Sequence, residues 1–255
     1  IMAAQTQRSS GDFNMAFSLG NQINTNKLTI GYNMALNYKS TTEFYENAEY
    51  NIFLKPVASD DFVLQQDRKQ EGSVGSNTRL WSALAGTAIK FKNHKLNLSL
   101  LHIQNGESSA GIFNTETFIR NSNVIIKDNL EYTQSGITNA LLSGKHSFDA
   151  SDFTIDWKIS PTLSRIADKD IRVTPFREDD GVLSFEPSEG AQPQRLFRNL
   201  DEINYSSSLD FSKGLRINNR ESKLKWGIRS TLKERDYEIF AYRFNIKSQS
   251  QVDIG

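Results

Sequence analysis

The feature that most constrains the fold is a strict alternation of side chains from Leu28 to Lys39. One series is Leu28, Ile30, Tyr32, Met34, Leu36 and Tyr38, and the intervening series is Thr29, Gly31, Asn33, Ala35, Asn37 and Lys39. A period of two predicts a β-strand, because successive side chains point to opposite sides of a sheet. Globular strands usually run about five or six residues, whereas a tilted strand that crosses a bilayer needs about nine to eleven. This segment is long enough to cross a membrane.

The same alternation recurs along most of the chain. It is found in segments 13–20, 81–91, 96–103, 153–160, 205–212 and 223–233. Charged residues occupy the centre of several of these segments, opposite large apolar side chains. A soluble sheet with one face in water has this pattern, and so does a membrane barrel with lipid outside and a wet lumen inside.

Composition narrows the class of protein. The 255 residues suffice for one large β domain or two ordinary ones. With 37% hydrophobic residues and a mean hydropathy of −0.53, a membrane-spanning helix is excluded, whereas a β-barrel is expected to have a low average. The 30 basic and 30 acidic residues cancel, so no nucleic-acid partner is predicted. Without cysteine, neither a disulfide scaffold nor a thiol site exists.

Connections alternate between short and long. Short polar turns are predicted at about 21–27, 92–95, 148–152 and 217–222, with Asn93-His94 and Asn218-Asn219 supplying residues that tolerate left-handed backbone. Long loops are predicted at about 40–77, 105–127 and 167–203. The chain is therefore predicted to be all-β and antiparallel up-and-down, with hairpins at about 11–42, 76–106, 124–168 and 202–246. Short turns at one end and long loops at the other are typical of a transmembrane β-barrel.

Several stretches resemble TonB-dependent outer-membrane receptors. They are Gly11-Asp12-Phe13 with Gly31-Tyr32 and Ala35-Leu36-Asn37-Tyr38, then Trp81 through Lys95, then Leu142 through Phe148. The most specific part, Ile155-Asp156-Trp157-Lys158-Ile159-Ser160 followed by Asp170-Ile171-Arg172, is similar to the Bacteroidetes-type receptors related to SusC. The resemblance covers most of residues 11–180 and rests on strand and turn residues, so it bears on fold more than on substrate.

The resemblance implies a function in the bacterial cell outer membrane. Such receptors import a scarce nutrient (a glycan, a peptide or a metal chelate) through a barrel closed by a plug domain, using energy from the TonB complex. The expected partners are outer-membrane lipid, the plug domain of the same parent protein, the TonB complex and a surface lipoprotein. Since the sequence shows no recognisable plug, residues 1–255 are expected to be a barrel segment of about eight strands from a larger barrel.

Two groups of candidate site residues follow. The candidates for lining the lumen are Asn33, Asp156, Lys158, Lys225 and Arg229. The candidate membrane-interface aromatics are Tyr32, Tyr38, Trp81, Tyr132 and Trp157, whose rings suit the border between lipid and water. No catalytic motif, cofactor site or metal site is predicted; the acidic run at 178–181 is interpreted as a solvated turn in preference to a calcium loop.

Three other classes remain open. A passive outer-membrane channel or structural barrel would have an open lumen and no plug. A soluble β-sandwich binding module would bury the leucine and tryptophan rows, including Phe153, Ile155 and Trp157, in a dry core. An enzyme is the least favoured class, because no nucleophile, acid–base pair or metal constellation is recognisable.

Overall fold

A computed structural model describes residues 4–5, 7–9, 11–55, 63–118, 124–179, 182–185, 193–218 and 220–244. These residues form one all-β sheet of nine strands with almost no helix. The strands are β1 (Phe13–Asn24), β2 (Leu28–Leu54), β3 (Gln65–Phe91), β4 (His94–Thr117), β5 (Val124–Phe148), β6 (Phe153–Asp179), β7 (Val182–Phe185), β8 (Gln194–Ile217) and β9 (Arg220–Arg243). A short 3-10 turn, Asp149–Ser151, lies between β5 and β6.

The strands follow one another across the sheet in sequence order. The order is β1-β2-β3-β4-β5-β6-β8-β9, every pair is antiparallel, and the short β7 pairs with β6 beyond the point where β8 begins. This confirms the predicted up-and-down connectivity, the simplest way for consecutive strands to associate. Within the described residues, β1 pairs only with β2 and β9 only with β8, so the sheet is open.

An in-register ladder carries the alternation of each strand across the whole sheet. Leu36, for example, lies between Phe17 of β1 and Ala83 of β3, while its neighbour Asn37 lies between Ala16 and Ser82. The side of the sheet that carries Leu28, Ile30 and the rest of their series is called here the apolar face, and the opposite side the polar face. The predicted assignment of side chains to two faces is confirmed.

The short turns lie where the sequence places them. The residues between strands are 25–27, 92–93, 149–152 and 218–219, and Asn219 lies outside the described residues. Asn218 has φ 48°, as predicted. In the β3–β4 turn the left-handed residue is Lys92, at φ 51°, and the prediction of Asn93-His94 for this role is wrong. Positive φ at only the first of the two turn residues is the backbone pattern of a type II′ hairpin.

The prediction of long loops at 40–77, 105–127 and 167–203 is wrong over much of their length. β2 and β3 stay paired as far as Leu54 and Gln65, and β4 and β5 as far as Glu116 and Val124. The extended strands reach 27 residues in β2, β3 and β6. Their outer parts carry polar side chains on both faces, which hides the period of two, but backbone pairing with the neighbouring strand requires no such pattern. The connections at 56–62, 119–123 and 186–192 lie outside the described residues.

The sheet is a single layer in the described part of the chain. Substantial contacts join only strands that are neighbours in the sheet. The buried apolar side chains of the described residues are those of Ile125, Ala167, Pro175, Phe176 and Pro193. The accessible surface is 18086 Å², against about 11,000 Å² for a compact monomer of this mass. Phe153, Ile155 and Trp157 are half-buried among their sheet neighbours, with no second layer of described residues over them.

Candidate functional site

The apolar face carries a belt of large apolar side chains, whose extent is clearest along β2 and β3. It extends from the cross-strand pair Leu28–Phe91 to the pair Tyr38–Trp81, about ten residue steps along each strand. At ~3.4 Å a step this is roughly 34 Å of strand, or about 25 Å of thickness when strands tilt by ~40°. Its side chains are not covered: Leu98 is 38% and Ile159 51% exposed. The belt has the thickness of the hydrocarbon zone that membrane barrels present to lipid.

A row of aromatic rings borders this belt at the end with the short turns. Phe148 stacks on Phe153 with ring centroids 6.3 Å apart, Phe153 on Phe211 at 6.0 Å, and Phe211 on Trp226 at 5.6 Å. The row crosses β5, β6, β8 and β9. Sequence analysis singled out none of these four rings as a group, because only the cross-strand register aligns them.

Aromatic contacts also lie at the other border of the belt. Phe13 stacks on Tyr38 at 5.5 Å, and Tyr38 is the cross-strand partner of Trp81, whose ring is 4.7 Å from that of His102. The structure therefore brings two of the interface candidates, Tyr38 and Trp81, together.

The remaining interface candidates are dispersed along the apolar face. Tyr32 lies within the belt, opposite Thr87. Trp157 lies two residues along β6 from Ile155, the cross-strand partner of Phe211 in the aromatic row. The partners of Trp157 itself are Gly144 and Leu209. Tyr132 lies beyond the belt, where it faces Ser108 and its hydroxyl accepts a hydrogen bond from Gln134.

A hydrogen-bonded chain of imidazole and indole groups lies inside the aromatic row. Trp157 Nε1 donates to His146 Nε2 at 3.1 Å, and His146 Nδ1 is 3.1 Å from Nδ1 of His94. Since Nε2 of His146 accepts, its proton lies on Nδ1 and is donated to His94. Sequence reasoning assigned the histidines no functional role. It lacked the register of β4 and β5, which makes His94 and His146 cross-strand partners.

The polar face carries a charged recess of about 500 Å³ near the end with the short turns. Four of the five lumen-lining candidates meet there: Asp156, Lys158, Lys225 and Arg229. Asn33 lies on the same face but away from the recess, on β2 opposite Gly86. The other charged residues that line the recess are Lys145, Asp210 and Lys223.

Like charges lie side by side in the cross-strand row of residues that leads into this recess. Lys90 pairs with Lys95 and Lys95 with Lys145; Lys145 then faces Asp156, which faces Asp210. Directly opposed side chains on neighbouring strands have β-carbons about 5 Å apart, so like charges there destabilise a sheet. Two repulsive clusters, one cationic and one anionic, therefore adjoin on the polar face.

Beyond the belt, ion pairs hold the extended strands together. Asp170 accepts hydrogen bonds from Arg172 Nε at 2.8 Å and from Arg195 Nη2 at 2.9 Å. The hydrogen bond from Arg172 and that from Arg195 hold the pKa of Asp170 below its usual range. The Asp170-Ile171-Arg172 stretch that carries the family resemblance thus has a structural role, at a bulge in the β5–β6 ladder.

Two further carboxylates make contacts on the strands: Glu202 of β8, in the cross-strand row of Asn37 and Ser82, and Asp128 of β5. Glu202 pairs with Arg235 at 2.6 Å and Lys233 at 3.0 Å. Asp128 is 6% exposed, and burial raises its pKa although the backbone N–H of Ala4 opposes the shift. Neither residue was singled out by sequence reasoning, which placed Asp128 near the start of the hairpin predicted at 124–168 and Glu202 at the end of the long loop predicted at 167–203.

Comparison of the chain with protein-family models, with curated proteins and with solved structures found no match. No helix among the described residues is long and apolar enough to span a membrane. Among the same residues, no cluster of three or more metal-ligating side chains is present. Of the acidic run at 178–181, Asp180 and Gly181 lie outside the described residues.

Proposed function

We propose that this sheet is part of the wall of a transmembrane β-barrel in the bacterial outer membrane, with the apolar face toward lipid and the polar face toward the lumen. The observation that carries the proposal is the belt, about 25 Å thick, with aromatic contacts at both borders. Burying apolar surface yields roughly 25 cal/mol per Å². Lipid supplies that burial for a sheet whose apolar side chains have no protein cover.

The open edges and the charges of the polar face favour a barrel with further strands. An unpaired strand edge is not tolerated in hydrocarbon, so β1 and β9 need partners there. Pairing them with each other would give a barrel of eight strands, whose interior is just filled by side chains. The lysines and aspartates of the recess would then be crowded together away from water. A barrel with further strands has a wider lumen, in which these side chains stay hydrated.

Within this class, the resemblance favours a TonB-dependent transporter that imports a scarce nutrient. Binding would involve a plug domain and the outer ends of the strands, and the TonB complex would supply the energy to move the plug. A surface lipoprotein is the partner expected at the outer ends. No covalent chemistry is proposed, and the substrate is a glycan, a peptide or a metal chelate.

Single cysteines test the orientation of the two faces, because the natural chain has none. Leu98→Cys and Ile155→Cys report the apolar face; Ser99→Cys and Asp156→Cys, next to them in sequence, are matched controls on the polar face. In lipid vesicles, an environment-sensitive label at the first pair should fluoresce in the blue and be quenched by brominated lipid. The second pair should react faster with a charged maleimide. Equal quenching at all four positions would contradict the membrane assignment.

Conductance in planar bilayers distinguishes the transporter from a passive channel. A parent protein whose barrel is closed by its plug domain should conduct little until urea unfolds the plug, whereas a passive channel should conduct steadily without urea. Steady, large conductance of the untreated parent protein would favour the passive channel and overturn the transporter.

A further inference from the structure

We propose that the recess on the polar face is a binding site for a small multivalent anion that carries phosphate or carboxylate groups. The inference goes beyond the proposed function, because it depends only on side chains that line the recess and not on a membrane. It is also separate from the outer ends of the strands, where nutrient capture is proposed.

The first argument is the charge of the recess. Five basic residues, Lys145, Lys158, Lys223, Lys225 and Arg229, line it, against the two acidic residues Asp156 and Asp210. In the described part of the chain, the ion pairs within 4.0 Å are made by other residues. Positive charges therefore outnumber negative ones in the recess, and none of the five basic side chains forms an ion pair within that distance with another described residue, although Lys145 faces Asp156 across the ladder.

The second argument is the arrangement of the neighbouring lysines. Lys90, Lys95 and Lys145 occupy one continuous cross-strand row that leads into the recess. Opposed like charges on adjacent strands cost stability. An anion bound between the lysines would be attracted to each of them and would offset their mutual repulsion. A row of opposed lysines is therefore consistent with a nearby anion site.

The third argument is size and hydrogen-bonding capacity. A volume of about 500 Å³ lies within the range typical of small-molecule sites. Lys223 and Lys225 lie two residues apart on β9, roughly 7 Å. Lys145 faces Asp156 and is therefore the diagonal neighbour of Lys158, roughly 7–8 Å away. The hydroxyls of Thr154 and Ser212 add donors on the same surface. This spacing suits two or more linked anionic groups better than one.

Titration calorimetry with pyrophosphate tests the proposal on the full chain in detergent micelles, with inorganic phosphate as the monomeric comparison. We expect saturable binding of pyrophosphate that is tighter than that of phosphate and weakens steeply with added salt. The double variant Lys158→Gln/Arg229→Gln should weaken binding by about tenfold or more. The matched control is Lys39→Gln, which removes one lysine charge from the same face on β2; it should leave the affinity within about twofold.

A second variant distinguishes a specific loss of charge from a general loss of structure. Asp156→Asn removes a negative charge from the recess and should tighten pyrophosphate binding several-fold, which misfolding cannot do. Absence of saturable binding, or equal loss in Lys39→Gln and the double variant, would overturn the proposal. So would binding of an acidic peptide without any binding of pyrophosphate. These outcomes are independent of the lipid-quenching test, so each proposal fails separately.

Discussion

The indole ring of Trp157 lies directly over Gly144, its cross-strand partner on β5. A β-carbon added at Gly144 would come within 2.4 Å of ring atoms Cε2 and Nε1. The missing side chain is thus what allows the indole to lie flat on the sheet and to reach His146. Neither residue taken alone predicts that the position of the indole depends on the glycine.

Gly144→Ala should therefore displace the indole. We expect a loss of about 1–3 kcal/mol in the free energy of unfolding, as for overpacking elsewhere, measured by urea unfolding in micelles or vesicles. Gly31→Ala is the matched control, because nothing lies within 4 Å of the β-carbon it adds. It should be neutral or slightly stabilising. A Gly144→Ala protein as stable as the Gly31→Ala protein would disprove the close packing.

Trp157→Phe should remove the hydrogen bond to His146 Nε2 while keeping an aromatic ring. The expected cost is about 1 kcal/mol, typical of one neutral hydrogen bond. Trp226→Phe is the control, since no hydrogen bond of its indole to other described residues is found and its stacking on Phe211 is kept. Nitrogen NMR of His146 should show an unprotonated Nε2 in the natural protein. A protonated Nε2 would exclude the proposed tautomer.

Leu98→Arg should be far more damaging than Ser99→Arg, although the residues are adjacent. Leu98 lies near the middle of the belt on the apolar face, and Ser99 lies on the polar face between Gly86 and Leu141. An arginine facing lipid at mid-depth costs about 2–4 kcal/mol in membrane barrels, whereas a lumen-facing one costs little. Unfolding in lipid vesicles measures the difference. Equal losses from the two substitutions would contradict the assignment of the faces.

Asp170→Asn should lower stability most at neutral pH. Its folded pKa is depressed, so its ionised form contributes stability above the unfolded pKa of about 3.9. That contribution is lost as the pH falls through the folded pKa. We expect a cost of about 1 kcal/mol at pH 7, since the pair is partly exposed, and a vanishing cost in acid. Unfolding midpoints across pH 2–7 test this; a cost that does not depend on pH would rule out the ion pair as its source.

Asp128→Asn should have the opposite effect. Because burial raises the folded pKa of Asp128, the natural protein loses stability as the pH rises from the unfolded pKa through the folded one. The amide keeps an acceptor for the Ala4 N–H and removes the charge. We expect a gain of roughly 1 kcal/mol or less at pH 7 that disappears below about pH 4. Destabilisation at pH 7 would mean that the carboxylate makes a stabilising contact instead.

The membrane-length strands were predictable because their information is local. From Leu28 to Tyr38, each side chain's face follows from its parity in the chain, and apolar residues mark one parity. The turns at Lys92 and Asn218 were predictable in position for the same reason. The outer halves of the strands were not, since residues such as those of 65–77 are polar on both faces and only the adjoining ladder makes them extended.

The amino-acid sequence by itself determined the fold class, the two faces and the charge carried by the polar one, because these depend on residue identity and a period of two. Tertiary structure alone decided which residues meet: His94 with His146, Trp157 over Gly144, Lys145 beside Lys95, and Asp170 between Arg172 and Arg195. The physical reason is cross-strand register, which joins positions up to 52 residues apart in the chain. A shift of one residue would send each of these side chains to the other face.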